Sequence, residues 1–478
     1  MPSFPRFLLI AASVTLAAAG SGCGSSPTSG NPQPTGSTVV SLLLSSSSNN
    51  HLSRFNLNFS SISLTSKSGK TVTLLAAPQN PEFVHLNGNT EPILTVSLPQ
   101  DDYISASAVI ASSTFVCIDL NSTGGLQGNF GGAGSLSANS VNINLPSPIT
   151  VSGSHMGLLL NLQVTPSISY PSCDTLVQGP TTVTPTFTLT PLTFAAQPTN
   201  SRNGLENDLE GVIATINVTG RSFQVTSADG LSWLLNTSGA TVFQGVSDFS
   251  GLASGLPISL DAAIQSDGSL LATRVAVQDT SAANLTTLSG PLLQIASSLP
   301  AFAAFGTLQQ GVLLFSGSGY YNFGNATFAI SGRLTNLQAL PFAATFTGVN
   351  IVPGQKIFLS SHATTVSGGP TYIPAATVTL LPQTLDGTVT AVSNDGGFAT
   401  YTISLAPYDL FPDLAVQAGQ TSLLQNPNTM VVYVDSGVQM LNSTPLAVGN
   451  TLRFYGLVFN DNGTLKMDCA QITDGVAQ

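Results

Sequence analysis

Four histidines, four cysteines and 22 Asp and Glu are the side chains of this 478-residue chain best suited to bind metal, move protons or attack a substrate. His51, His85, His155 and His362 stand far apart, none within a few residues of another or of a cysteine, so no local zinc spacing is present. Glu206, Asp208 and Glu210 form the densest carboxylate run. On an extended segment, residues two apart share a face, so the three would approach a calcium ion together while falling short of the six or more oxygens it takes. Asp101-Asp102 and Asp461 read as turn formers. The stretch from Thr123 to Gly134 is Gly-rich but lacks the Lys-Ser/Thr that would touch a phosphate. No nucleophile–base pattern or acid pair stands out, so no catalytic, cofactor-binding or metal-binding residue is expected. Trp233, Tyr320-Tyr321 and Tyr372 could stack on a sugar, or could equally be core aromatics.

Cys23 has a separate meaning. Arg6 precedes Phe7–Ala19, a charge-free and mostly apolar run, and Gly20-Ser21-Gly22-Cys23-Gly24 follows as small residues around a thiol. That is the layout of an export signal. The run is shorter than the ~20 apolar residues a spanning helix needs. Ser21-Gly22-Cys23 resembles a lipobox, which makes Cys23 the expected lipidation site, residues 1–22 the signal and residues 23–37 a Gly/Ser/Thr/Pro tether. A cut after Ala17-Ala18-Ala19, with soluble secretion, is the alternative. Either Cys117 and Cys173 are bonded, as an oxidising compartment permits, or each is a small buried hydrophobe. Cys469, in an alternating strand pattern, reads as an inert core thiol.

Composition narrows the partners. Only 7% of residues are charged, the net charge is −11, and the 11 Lys and Arg form no cluster. Nothing here would neutralise a run of phosphates, so no nucleic-acid partner is expected, and attraction to anionic lipid is equally weak. The 42% hydrophobic content is enough for packed cores, and the length calls for several of them.

The elements that would position these residues are strands. Phe55, Leu57 and Phe59 alternate with polar residues, as do Ile62 and Leu64, and turn clusters separate short apolar runs throughout. No sustained helical spacing appears, so an all-β fold is expected, with little helix beyond the signal peptide: a β-sandwich over 38–195, then repeats. Leu209-Glu210-Gly211-Val212 is echoed at Leu288-Ser289-Gly290-Pro291 and Leu385-Asp386-Gly387-Thr388. Units at 205–280, 284–382 and 383–478 follow, each long enough for its own core. Asp229-Gly230, Asp267-Gly268 and Asn462-Gly463 mark hairpins, and the pattern suggests small, nearly closed barrels. The three glycines should superpose, as should Ala272, Ala376 and Ala470, and the units should touch sparingly.

The run from Phe55 to Leu64, then Val84-His85-Leu86-Asn87-Gly88, then Leu98-Pro99-Gln100-Asp101-Asp102-Tyr103-Ile104 resembles an uncharacterised domain of bacterial lipoproteins, built on a strand, an L-x-G loop and an L-P-x-G-x-Y turn. The resemblance implies a β-sandwich on a secreted lipoprotein and brings no activity. The repeats resemble a second uncharacterised family, of small β-barrels in exported bacterial proteins, through Gly211, Phe223, Thr241-Val242-Phe243 and Ala272. The expected protein is therefore a non-enzymatic, lipid-anchored envelope protein, a spacer or interaction module, held at the membrane, expected to be the outer one, by an N-terminal lipid. An envelope protein or a glycan is the expected partner, and a carbohydrate-binding or carbohydrate-processing protein is the alternative.

Overall fold

A computed structural model describes residues 36–47, 52–118, 129–169, 182–192, 205–281, 285–295, 301–310, 313–331, 339–362, 373–407, 409, 411, 414 and 424–475. Among these the chain is nearly all strand, with a single four-residue α-helix, Val164–Ser167. No helix among them is long and apolar enough to cross a membrane.

The first part of the chain is two sheets face to face. One has four strands, in the order Thr186–Leu192, His155–Gln163, Ser37–Ser47, Thr90–Pro99; the other is built around the long pair Leu52–Ser66 and Asp101–Ile118. Phe55, Leu57 and Phe59 point inward, and so do Ile62 and Leu64, on the opposite parity. Register shifts at Asn58/Phe59 and Phe59/Ser61 account for the change, because one extra residue in a strand returns the following side chains to the same face. Phe59, Phe83 and Phe187 then meet with ring centroids 5.6–6.4 Å apart. Ser37–Ser47 reads as a continuous apolar run because both of its faces are covered. Val40, Leu42 and Leu44 enter the sandwich core, while Leu43 enters the core of the next unit.

Each later unit is one sheet with a single connectivity. In the first, Leu205–Asn217 pairs with Ser222–Thr226 and with Pro257–Ile264, Ser222–Thr226 with Ser232–Asn236, and Pro257–Ile264 with Leu270–Val277. A parallel pairing of Ser232–Asn236 with Leu270–Val277 closes the barrel. The third unit repeats this with Gln383–Asp395, Phe398–Leu405, Thr429–Val434, Thr451–Asp461 and Thr464–Asp474, again closed by a parallel pair. In the second unit the last strand is split into Ile373–Pro374 and Thr377–Leu380, and the parallel contact is made by the first piece. This is the connectivity of the oligonucleotide/oligosaccharide-binding barrel, a five-stranded Greek key that leaves almost no free edge. The turn at Asn462-Gly463 has φ of 52° and 87°, as the tightest hairpins require.

Gly211, Gly290 and Gly387 occupy one place. They pair with Ile258, Ile357 and Leu452, the corresponding residues of the fourth strands. A Cβ at Gly211 would lie 2.5 Å from Val225 Cγ1 and 2.6 Å from the Thr226 carbonyl oxygen; at Gly387 it would lie 2.8 Å from Ile403 Cδ1. The alanine equivalence is off by one. Two residues beyond each glycine's partner, the fourth strand faces Val275, Val378 or Ile472 on the fifth, so the residues equivalent to Ala272 are Ala375 and Cys469. All three are buried, and Ala470 instead sits at a register shift. Burial pushes the Cys469 thiol well up, which keeps it protonated and inert.

The expectation of sparing contact between units does not hold, for Thr35–Gln478 packs as one compact unit. Leu457 and Phe459 leave the third barrel for the core of the second, and Val352 of the second joins the core of the third. The Gln355 amide, buried between them, donates to the Val458 carbonyl at 2.8 Å. Phe342 lies 5.8 Å from the Phe459 ring and 4.9 Å from Tyr433, with the Lys466 ammonium over its face. Trp233 of the first barrel is buried and donates its indole N–H to Pro92 of the sandwich at 2.8 Å. The physical reason is size: a barrel this small buries too little by itself, so its outward apolar residues complete a neighbour.

Phe459→Ala should cost ~3–5 kcal/mol and lower the melting of the second and third barrels together. A scan in which only the third barrel's transition moves would contradict the shared core. Asp468 gives a pH test. Burial, helped by the nearby Asp435 charge, raises its carboxyl to about 7. Because the folded value lies above the unfolded one, the stability it contributes is complete below about pH 4 and is lost as pH rises through about 7. Asp468→Asn should remove that slope from urea midpoints measured between pH 4 and 8, an effect of up to ~4 kcal/mol.

Candidate functional site

A cleft of about 180 Å³ opens where all four units meet. The sandwich supplies His85 and Glu91, the first barrel Glu210 and Asp229, the second Lys356 and the third Tyr455. His85 sits in the loop that joins the sandwich sheets, held by a turn at Gly88, whose φ of +75° suits glycine. Gly88 also fits against Thr384, where a Cβ would lie 2.5 Å from the hydroxyl. The Thr384 hydroxyl donates to the Asn87 carbonyl at 2.8 Å, so the loop is pinned to the third barrel.

Within that loop Glu82 is buried and its carboxylate is saturated. Oε1 accepts the Phe55 and Val84 amides at 2.7 and 2.8 Å; Oε2 accepts the His85 amide and His85 Nδ1, both at 2.9 Å. The imidazole is therefore fixed with Nε2 turned away from Glu82, and Nε2 lies 2.9 Å from Glu91 Oε1. Burial would lower the His85 pKa, but the Glu91 and Glu82 carboxylates outweigh it and raise the group well above its ordinary value. For Glu82 burial works upward, and the hydrogen bonds and charge of His85 carry the net value down. Glu91 is raised by burial, with Asp229 and Glu210 adding to it against the pull of His85.

Asp229 comes from the first barrel, at the tip of the hairpin between Ser222–Thr226 and Ser232–Asn236, where Gly230 has φ of +86°. Its Oδ2 accepts the Glu82 amide at 3.1 Å, and its Oδ1 accepts the Ser227 hydroxyl. His85, Glu91 and Asp229 thus place one nitrogen and two carboxylate oxygens within 4.8 Å of one another, the group among the described residues whose spacing suits a metal ion.

Buried ion pairs hold the wall beside them. Arg274 grips Asp261 through Nε at 2.8 Å and Nη2 at 3.1 Å, and reaches Asp208 Oδ1 at 3.1 Å. The Tyr455 hydroxyl of the third barrel donates to Asp208 Oδ2. Arg453 joins Asp386 to Asn87, tying the third barrel to the sandwich loop. On the far side, His362 Nε2 and the Ser360 hydroxyl meet Asp279 at 2.9 and 2.5 Å, linking the first two barrels.

The carboxylate run does not present one face. A register shift between Glu206 and Leu209, with Asp208 at φ 53°, sends Glu206 to the Thr90 hydroxyl, Asp208 to Arg274 and Glu210 to the cleft. Asp101-Asp102 open the strand Asp101–Ile118 and Asp461 closes Thr451–Asp461, each beside a turn, with the Thr150 hydroxyl on Asp102 and Lys466 on Asp461. Trp233 and Tyr321 are buried; Tyr320 lies in Leu313–Asn322. His155 accompanies Ser41 at 3.1 Å. Cys117 lies on the strand Asp101–Ile118. Cys23, His51, Cys173, Tyr372 and residues 123–128 of the Gly-rich stretch lie outside the described residues, and the rest of that stretch lies in the strand Asn129–Leu136. Glu82, Glu91 and Asp229 were not legible as partners of His85; the local signals were the L-x-G loop that follows His85 and the Asp229-Gly230 turn, each read for shape alone.

No family model and no curated protein matches the chain. Among solved structures, a deletion mutant of the single-stranded DNA binding protein from Thermus aquaticus aligns with 13% identity over 41% of this chain and 95% of that one, with a TM-score of 0.15. At that score the likeness carries no argument.

Arg274→Met should destabilise the chain by ~3–5 kcal/mol, because it leaves Asp208 and Asp261 buried without their cation. Asp208→Asn combined with Asp261→Asn in the Arg274→Met background should recover part of the loss, read from denaturant midpoints. No recovery would show that the packing of the Arg stem, and not the charge, carries the effect.

Proposed function

We propose that the chain is a non-enzymatic, lipid-anchored protein of the bacterial cell envelope that presents the junction cleft to a partner, an envelope protein or a glycan. The observation that supports an interaction role is the convergence of all four units on that cleft: units joined by apolar and polar seams form one compact body with a recess where they meet. The anchor reading rests on the sequence around Cys23 and on the tether that follows it.

Two measurements test the two halves. Cys23→Ser should move the protein from the membrane to the soluble fraction, since the lipid supplies the strong membrane affinity; retention in that variant ends the anchor reading. A photo-crosslinking side chain at Lys356, on the cleft wall, should form adducts in intact cells that the same side chain at Val218, exposed on a hairpin of the first barrel, does not. Equal labelling at both positions, or none at Lys356, would count against the cleft as the working surface.

A further inference from the structure

We infer that the inner end of the cleft binds one divalent transition-metal ion through His85 Nε2, a carboxylate oxygen of Glu91 and a carboxylate oxygen of Asp229. The inference rests on reading the cleft as the working site and adds the ligand class it takes. Three independent features carry it. First, the three donor atoms lie within 4.8 Å of one another, close enough for side-chain rotation to bring them around one ion. Second, the imidazole is already oriented as a ligand. Its Nδ1 is held by a carboxylate that three backbone amides fix in place, which is the arrangement that sets tautomer and ring angle in metal-bound histidines. Third, Glu91 is only 4% exposed and its Oε2 is buried with no hydrogen-bond partner. A buried carboxylate oxygen without a donor is costly, and a cation in the cleft would satisfy it.

The donor set selects the ion. One imidazole with two carboxylates suits Zn²⁺ or Mn²⁺; Ca²⁺ and Mg²⁺ favour oxygens alone, and no thiolate is present to favour Cu(I). On binding, the Nε2–H bond to Glu91 is replaced by an Nε2–metal bond and the proton leaves to water. With three protein ligands, the remaining positions face the cleft, where a partner's carboxylate or phosphate oxygen could complete the shell. Because Glu91 and His85 belong to the sandwich and Asp229 to the first barrel, the ion would also join the two units.

Isothermal titration of the full chain, purified with chelator and dialysed, tests this with Zn²⁺, Mn²⁺ and Ca²⁺ alone as probes. One equivalent of Zn²⁺ or Mn²⁺ should bind, with Ca²⁺ at least tenfold weaker and the melting temperature rising with the bound ion. Asp229→Asn keeps an oxygen for the Glu82 amide and should weaken binding tenfold or more with an unchanged circular dichroism spectrum; His85→Ala should abolish binding. Glu82→Gln tests positioning, and should alter the ligand-field bands of the Co²⁺ form while His362→Ala leaves them unchanged. Absence of stoichiometric binding, or binding that survives His85→Ala with Asp229→Asn, overturns the inference. Neither result depends on a partner, so it leaves the crosslinking at Lys356 to judge the cleft separately.

Discussion

Leu43, Val352, Leu457 and Phe459 each belong to one unit and are buried in the core of another, and the assembly depends on this exchange. Burying one such side chain is worth ~1.5–3 kcal/mol. For a barrel of this size that is a large part of the margin between folded and unfolded. The seams therefore fix the angles between units, as a tether of polar residues could not. They also fix where the units fail to meet, and that gap is the cleft.

A gap lined by ionisable groups is stable only where each charge has a partner or access to water. The walls follow that rule. Arg274 serves Asp261 and Asp208, Arg453 serves Asp386, and Glu82 takes three hydrogen bonds from its own loop and one from the strand Leu52–Ser66. Glu91 departs from it through one oxygen, in the same place where the imidazole of His85 and the carboxylate of Asp229 converge.

Much of the fold was written in local pattern. Phe55, Leu57 and Phe59 announced a strand, and Ile62 with Leu64 announced a second phase that the bulge between them explains. Gly211, Gly290 and Gly387 occupy one register position, and at Gly211 and Gly387 a close approach leaves no room for a Cβ. Alanine is a weaker marker. Ala470 matched Ala272 by type, while register placed Cys469 there, since the barrel asks only for a small inward side chain at that position. The site was less legible. Its four members come from three stretches, Glu82 with His85, Glu91, and Asp229, and the last is brought to the others by a seam that no spacing encodes. Glu206, Asp208 and Glu210, adjacent on paper, were separated by one positive φ.

Barrels of this connectivity commonly hold ligands on the face of the second and third strands and on the loops between strands one and two and between four and five. Here several of those surfaces are occupied internally. In the first barrel the loop between strands four and five packs Gly268 against Thr95 and Val39 of the sandwich, closely enough that a Cβ would lie 2.5 Å from Thr95 Cγ2. In the third barrel the loop between strands one and two packs Gly396 against Pro341 of the second. The hairpin between strands two and three of the first barrel turns Asp229 toward His85. Surfaces that would serve a lone barrel as ligand contacts serve this chain as joints. A fold's usual ligands do not transfer with its connectivity alone. On the proposed reading, recognition uses what the joints leave open, a cleft whose ionisable groups are drawn from different units.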